Sequence, residues 1–252
     1  MHRFFISSAQ SDGRVLSVTG EDVNHIRNVL RMRIGEDLEA VDENGLVSTC
    51  RITALDKETV TAEVLFTEMS GAELPSPLTL YMGLPKFEKM ELIIQKAVEL
   101  GASRIVPVKT ARTVVKLDEK KAAAKLVRWQ AIAEAAAKQS KRTVVPEVAP
   151  VMTYKEALKE ASEIALADPG HPGQVFIPYE KAEGVEASRA LIRGLETGSP
   201  VSVFIGPEGG FEEKEVELAL EAGAKTLTLG PRILRCETAA ITVLSLIMFE
   251  LT

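Results

Sequence analysis

Two short segments near the carboxyl terminus bring together residue types that hold ligands. Gly206-Pro207-Glu208-Gly209-Gly210 sets three glycines around one carboxylate, and Gly230-Pro231-Arg232-Ile233-Leu234-Arg235 sets two arginines beside two apolar side chains. Glycines let the backbone approach a ligand closely and point free amides at it. Arginines can bind an anion or stabilise negative charge developing on a substrate, while Ile233 and Leu234 can lie against a flat ring. The first segment runs into Phe211-Glu212-Glu213, where carboxylates suit a helix start but would repel a phosphate. It has none of the Lys, Ser or Thr that a GxxxxGK[ST] phosphate loop needs, and its glycine spacing does not fit GxGxxG. The chemistry expected is recognition of a ligand without phosphates, such as an adenosine with an amino-acid tail. A single Gly-Pro step after a strand can be only a tight turn, and Glu237 with Thr238 can simply cap the last helix. Two such steps, 24 positions apart, argue for a shared site.

Both segments close strand-like runs, Val201–Ile205 and Thr226–Leu229, with one helical pattern between them. Ligands bind at the carboxyl ends of strands in open α/β sheets, so two neighbouring strand ends of this kind predict a crevice. From Leu78 onward strands and helices alternate: a strand at Leu78–Met82, a helix at Lys89–Leu100, a strand at Ser103–Val108 and a long helix at Asp118–Ser140. Next come a helix at Tyr154–Ser162, a strand at Glu163–Ala167, a helix near Ala187–Gly194 and a terminal helix at Glu237–Leu251. This alternation predicts an α/β domain with a mainly parallel sheet over 78–252. The terminal helix is apolar nearly all round and needs burial, in its own domain or against another subunit. Residues 1–70 read instead as short strands and turns, interrupted by one helical pattern at Gly20–Leu30, and predict a small β-barrel. Asp42-Glu43-Asn44-Gly45 has hairpin-turn composition, and residues 71–77, with Pro75 and Pro77, have linker composition.

A chain of 252 residues that is 46% hydrophobic can bury a substantial core. No run approaches membrane-spanning length without charge, and the amino terminus lacks a signal peptide's apolar region, so a cytoplasmic protein with no membrane partner is expected. Cys50 and Cys236 lie far apart, and the three histidines are scattered, which supports neither a disulfide framework nor a metal site. Net charge is −6 overall, yet residues 81–145 carry +8. Such segregation suits either a polyanion footprint or a solvated helix face.

The stretches Phe204–Phe211 and Leu227–Ala240 resemble the cofactor-binding signature of the α/β-knot (SPOUT) methyltransferases, and more narrowly that of the 16S ribosomal RNA uridine-N3 methyltransferases usually called RsmE. His25–Gly35, Lys89–Gly101 and Lys138–Pro146 agree with it, so the likeness spans nearly the whole chain. The resemblance implies a PUA-like RNA-binding barrel followed by a domain with a deep trefoil knot, dimerising through the knotted regions. It implies S-adenosylmethionine held at Ile205, Gly206, Pro207, Glu208, Gly209, Gly210, Leu229, Gly230, Ile233 and Leu234, with Thr238 and Ala239, and Leu166 and Ala167 at a further strand end. Arg232 and Arg235 are candidates for stabilising an anionic uracil, with Glu208 and Glu237 as available carboxylates. RNA contacts are expected from His25, Arg27, Arg31 and Arg33 on the small domain, and from Lys86, Lys89, Arg112, Gln139, Ser140 and Arg142 on the larger one. The substrate implied is 16S rRNA within the small ribosomal subunit. The competing readings are a knotted methyltransferase for another RNA and a non-catalytic ribosome-assembly protein. Three positions depart from the family pattern: Lys138 stands where an acid is frequent, Lys141 where glycine is usual, and Ala111 where glutamate is common.

Overall fold

A computed structural model describes residues 1–115, 117–182 and 184–252. They form two compact units. The first comprises Met1–Glu73 with Ala137–Val145, and the second comprises Leu74–Ala136 with Pro146–Thr252.

In the first unit β1 (His2–Phe5), β2 (Val15–Thr19), β3 (Asp37–Val41), β4 (Leu46–Leu55) and β5 (Thr59–Met69) make one sheet in the order β1-β3-β4-β5-β2. Only the β1–β3 pair is parallel. Two register shifts between β4 and β5, at Thr49/Cys50 and Ile52/Ala54, act as bulges that curl the sheet. Leu38 and Ala40 alternate inward with Asp37 and Glu39 outward, and the core they join includes Phe4, Leu16, Val18, Ile26, Ile52 and Val60. The turn at Asp42 is held by its own carboxylate, which accepts from Asn44 N and Leu46 N at 2.9 Å each. Helix α1 (Glu21–Asn24) continues as a π-helical turn over His25–Val29, closed by Leu30 N donating to His25 O at 2.9 Å. Arg31 follows it in a left-handed conformation, φ 54°.

Residues 137–145 belong with this unit because their polar groups are satisfied there, which breaks the contiguous division expected from the sequence. The Arg142 side chain is almost fully buried and donates Nε to Glu73 Oε2 at 3.0 Å, while Thr143 N donates to Glu73 Oε1 at 2.8 Å. Arg3 and Lys141 share Glu39 at 2.9 and 2.6 Å. Lys141 has φ 63°, a conformation glycine adopts without strain. Lys141, one of the positions noted above, therefore takes a glycine-like backbone.

The second unit contains β6 (Leu78–Gly83), α2 (Lys89–Glu99), β7 (Arg104–Lys109), most of α3 (Glu119–Gln139), β8 (Glu147–Val148), β9 (Met152–Thr153), α4 (Tyr154–Leu166), β10 (Gln174–Pro178), α5 (Val185–Arg193), β11 (Val201–Ile205), α6 (Glu213–Glu221), β12 (Lys225–Leu227) and α7 (Cys236–Leu251). Its sheet is parallel throughout, in the order β12-β10-β11-β6-β7-β8, with β9 beside β7. β6 and β11 are buried along their whole length, as strands covered on both faces must be. Tyr81 and Phe204 stack across them with centroids 4.4 Å apart.

Two expectations about this unit are corrected. Glu163–Ala167 is not a strand: Leu166 ends α4, and Ala167 is its C-cap. Tyr154, Ala157, Leu158 and Ala161 carry a 3.6-residue apolar period, and a capping box between Thr153 and Glu156 starts that helix firmly. The strand of this region is β10, whose Val175-Phe176-Ile177 run is too short for periodicity to reveal. Nor are β11 and β12 neighbours, because β10 lies between them and pairs with both.

Candidate functional site

The carboxyl ends of β10, β11 and β12 surround a cavity of about 770 Å³. One wall is the loop Ile205–Phe211 after β11. A second is Thr228–Arg235 after β12, continued by Cys236 and Ala239 of α7. The third is Pro178, Tyr179, Glu180, Ala182, Gly184 and Val185, after β10. Sequence reasoning missed that third wall, since its only signal was a short apolar run ending in proline.

Close backbone packing shapes the first wall. A Cβ on Gly206 would lie 2.9 Å from Gly210 C, and one on Gly83, at the end of β6, would lie 2.6 Å from Pro207 Cδ. Both positions therefore exclude a side chain. Gly210 and Gly230, with φ 67° and 103°, make left-handed turns that open the two loops. Arg112 braces the first loop from outside, donating Nη1 to Gly209 O at 2.7 Å. Glu215, 7% exposed, accepts from Glu212 N at 2.9 Å and Ala111 N at 2.8 Å. Of the carboxylates after the loop, this one is thereby a structural clasp.

Lys89, at the start of α2, ties the first two walls together. Its Nζ lies 3.3 Å from Glu208 Oε1 and 3.2 Å from Glu237 Oε2. Glu208 also accepts from Lys86 N at 3.0 Å. Burial pushes the Glu208 carboxyl upward, but backbone amides and the Lys89 ammonium outweigh it and hold the group below its ordinary value. Glu237 is lowered against burial in the same way, by its own amide, Cys236 and Lys89. Lys89 is raised in turn, its two carboxylates overcoming desolvation. Burial and the neighbouring Glu237 push the Cys236 thiol up to about 12, so it lines the cavity as an inert group.

Arg232 and Arg235 line the cavity, and among the described residues neither side chain makes a hydrogen bond or ion pair. Ile233 between them is 88% exposed. Among the sequence-predicted ligand residues, Ile205 through Gly210, Leu229, Gly230, Ile233, Leu234 and Ala239 converge on this cavity. Thr238 is exposed outside its lining, and Leu166 and Ala167 lie elsewhere because they end a helix. Lys89, expected at RNA, is part of the cavity wall.

The remaining cationic candidates divide between the units. His25, Arg31 and Arg33 are exposed and Arg27 half-buried around the π-helical turn of the first unit. Gln139 and Ser140, at the end of α3, also fall in the first unit, as does Arg142. Arg142 is committed to Glu73 and buried, so it is not presented to solvent. Lys86 and Arg112 are exposed in the second unit.

A parallel α/β unit with a Gly-rich cavity at its strand ends, in one chain with a curled β unit, is the makeup of an RNA methyltransferase. The model of the RNA methyltransferase domain matches residues 72–248, and that of the RNA methyltransferase PUA domain matches residues 18–65. The chain is 37% identical to ribosomal RNA small subunit methyltransferase E of Bacillus subtilis, over 99% of this chain and 97% of that one. It is 31% identical to the protein of the same name in Mycobacterium bovis, over 96% and 88%. The crystal structure of the Neisseria gonorrhoeae ribosomal RNA small subunit methyltransferase E, bound to S-adenosyl methionine, superposes with a TM-score of 0.81 at 33% identity, over 97% of this chain and 95% of that one. The chain belongs to the ribosomal RNA small subunit methyltransferase E family.

Proposed function

We propose that this protein transfers a methyl group from S-adenosylmethionine to N3 of one uridine in the 16S RNA of the small ribosomal subunit. The observation that carries the reading is the cavity itself. It joins three strand ends, offers Gly-loop backbone in its first wall, and is lined by two arginines that have no side-chain partner among the described residues. Those residues fit the cofactor. A volume of about 770 Å³ lies within the range of small-molecule sites. The bare backbone at Gly206, Gly209 and Gly230 suits hydrogen bonding to an adenine, and the apolar Ile205, Leu229 and Leu234 suit its faces.

The bound cofactor supplies an electrophilic methyl group on sulfur. The chain's own residues supply alignment and charge. Attack by N3 forms the nitrogen–carbon bond as the sulfur–carbon bond breaks, and the N3 proton is lost to water. Arg232 and Arg235 stabilise the negative charge that deprotonation leaves on the uracil oxygens. Glu208 and Glu237 are poor bases here, because Lys89 and backbone amides hold them as stable carboxylates; their work is to hold Lys89 and, through it, both loops. His25, Arg27, Arg31 and Arg33 bind phosphates of the RNA and set its register. The protein acts as a homodimer through α7, which leaves Leu246 and Phe249 exposed, the latter at 81%. Its ribosomal substrate places it in the cytoplasm.

Incubation with labelled S-adenosylmethionine and small ribosomal subunits lacking the modification, followed by mapping, tests the reading. Label on N3 of a single uridine is the expected outcome. Label only on transfer RNA or on protein refutes it, and cofactor binding without transfer to any RNA supports a non-catalytic assembly role instead.

A further inference from the structure

We infer that Phe87 is a stacking platform for a nucleobase of the RNA substrate at the rim of the cavity, a role that rests on the methyltransferase reading above. Phe87 lies in the short connection between β6 and α2. It combines two unfavourable features. Its backbone is left-handed, φ 57°, a conformation that costs a bulky residue free energy and that glycine or asparagine adopts more easily. Its ring is 86% exposed, so it gains little from burial, and among the described residues it makes no ring–ring or cation–ring contact. Strain that no intramolecular contact offsets concentrates where a ligand is bound.

The connection is pinned to the cavity on both sides of the ring. Lys86 N donates to the Glu208 carboxylate at 3.0 and 3.3 Å, and Lys89 closes the bridge to Glu208 and Glu237. Phe87 is thus an aromatic ring on a fixed backbone, one residue from an atom bonded to the cavity wall. Beside it in sequence is the exposed Lys86, and Arg232 and Arg235 line the same cavity. A flat apolar face next to a cation such as Lys86 is what an unstacked RNA base and its phosphate require. A uridine extruded to reach a methyl donor needs such a face, either for itself or for the neighbour it leaves behind. A chain–chain contact would be the other use for an exposed ring.

Steady-state methyl transfer to unmodified small ribosomal subunits tests this with four variants. Phe87→Asn and Phe87→Gly remove the ring but accept the left-handed backbone, so their melting temperatures should equal or exceed the wild type's. Both should raise KM for the subunits about tenfold. S-adenosylmethionine affinity by calorimetric titration should stay unchanged. Phe87→Tyr and Phe87→Trp should keep the wild-type KM, since each retains a stacking face. With active wild-type protein, an unchanged KM in Phe87→Asn overturns the assignment, as does a loss confined to cofactor affinity. Loss of activity that tracks dissociation of an oligomer also overturns it, and assigns the ring to a chain–chain contact. Wild-type protein that methylates no RNA removes the methyltransferase reading and this inference together, an outcome distinct from the other three.

Discussion

Replacing Lys89 by methionine removes the cation that, among the described residues, both Glu208 and Glu237 contact, while keeping most of the side chain's apolar volume. With Nζ 3.3 and 3.2 Å from the two carboxylates, each pair has a gross attraction of about 5 kcal/mol at an effective dielectric near 20. Desolvation of three groups and the ordering of a long side chain offset most of it. The side chains are 26%, 28% and 15% exposed, between the surface and buried limits, so about 1.4 kcal/mol net is a fair expectation for holding the loops in place. That corresponds to about a tenfold rise in Kd for S-adenosylmethionine, measured by calorimetric titration at pH 7. The pH profile adds a second readout. In the wild type both carboxyls sit below their ordinary values and stay ionised from pH 8 to 5, so affinity should be flat across that window. Without the ammonium both rise and repel each other, and protonation relieves the repulsion. Affinity of Lys89→Met should therefore begin to recover at higher pH than any acid-side change in the wild type, and Lys89→Arg should bind more tightly than Lys89→Met at pH 7. Wild-type affinity in Lys89→Met at pH 7, or a profile as flat as the wild type's, would refute the idea that this bridge positions the loops.

Gly83→Ala puts a Cβ 2.6 Å from Pro207 Cδ, so strand β6 and the loop must separate. A destabilisation of about 2 kcal/mol and a melting point lower by about 6 °C are expected by scanning calorimetry, with weakened cofactor binding. Arg142→Met strands Glu73 without its cation and should destabilise the first unit by about 3 kcal/mol, with faster amide exchange confined largely to residues 137–145. Burial raises the Glu73 carboxyl, but Arg142 and the amides of Thr143 and Val144 lower it further, so its folded value lies below its unfolded one. Its contribution is therefore complete above about pH 4.5 and lost as pH falls through the folded value. Acid titration of unfolding should show that loss in the wild type and a smaller one in Arg142→Met. Arg31→Ala should weaken RNA binding, most at low salt, and leave cofactor affinity unchanged. Arg112→Ala should weaken cofactor binding severalfold as well, because it removes the brace on Gly209; equal cofactor affinity in both would show that the brace is dispensable.

Local patterns account for what could be read without coordinates. Alternation in Asp37–Val41, the Asp42–Gly45 turn and the long apolar helices announce themselves over a few residues, because side-chain period and turn chemistry are local properties. The two Gly-Pro loops are equally plain. β10 was not, since a buried strand of five residues has no period to detect, and so the third wall of the cavity was invisible. Ile164-Ala165-Leu166 shows the opposite error. Its apolar run looked like a strand until the helix begun at Thr153 proved to continue through it.

Residue types and order by themselves pointed to Gly206–Gly210 and Gly230–Arg235 as a candidate ligand site, in an α/β domain preceded by a β domain. Only the tertiary structure decided what those residues do to one another. It separated β11 from β12 by inserting β10, and it brought Lys89 between Glu208 and Glu237. It also drew residues 137–145, with Arg142, into the first unit. The physical reason is that backbone freedom and side-chain chemistry are written residue by residue. Strand order, desolvation and charge pairing instead depend on partners far away in sequence, such as Lys89 and Glu237, 148 positions apart.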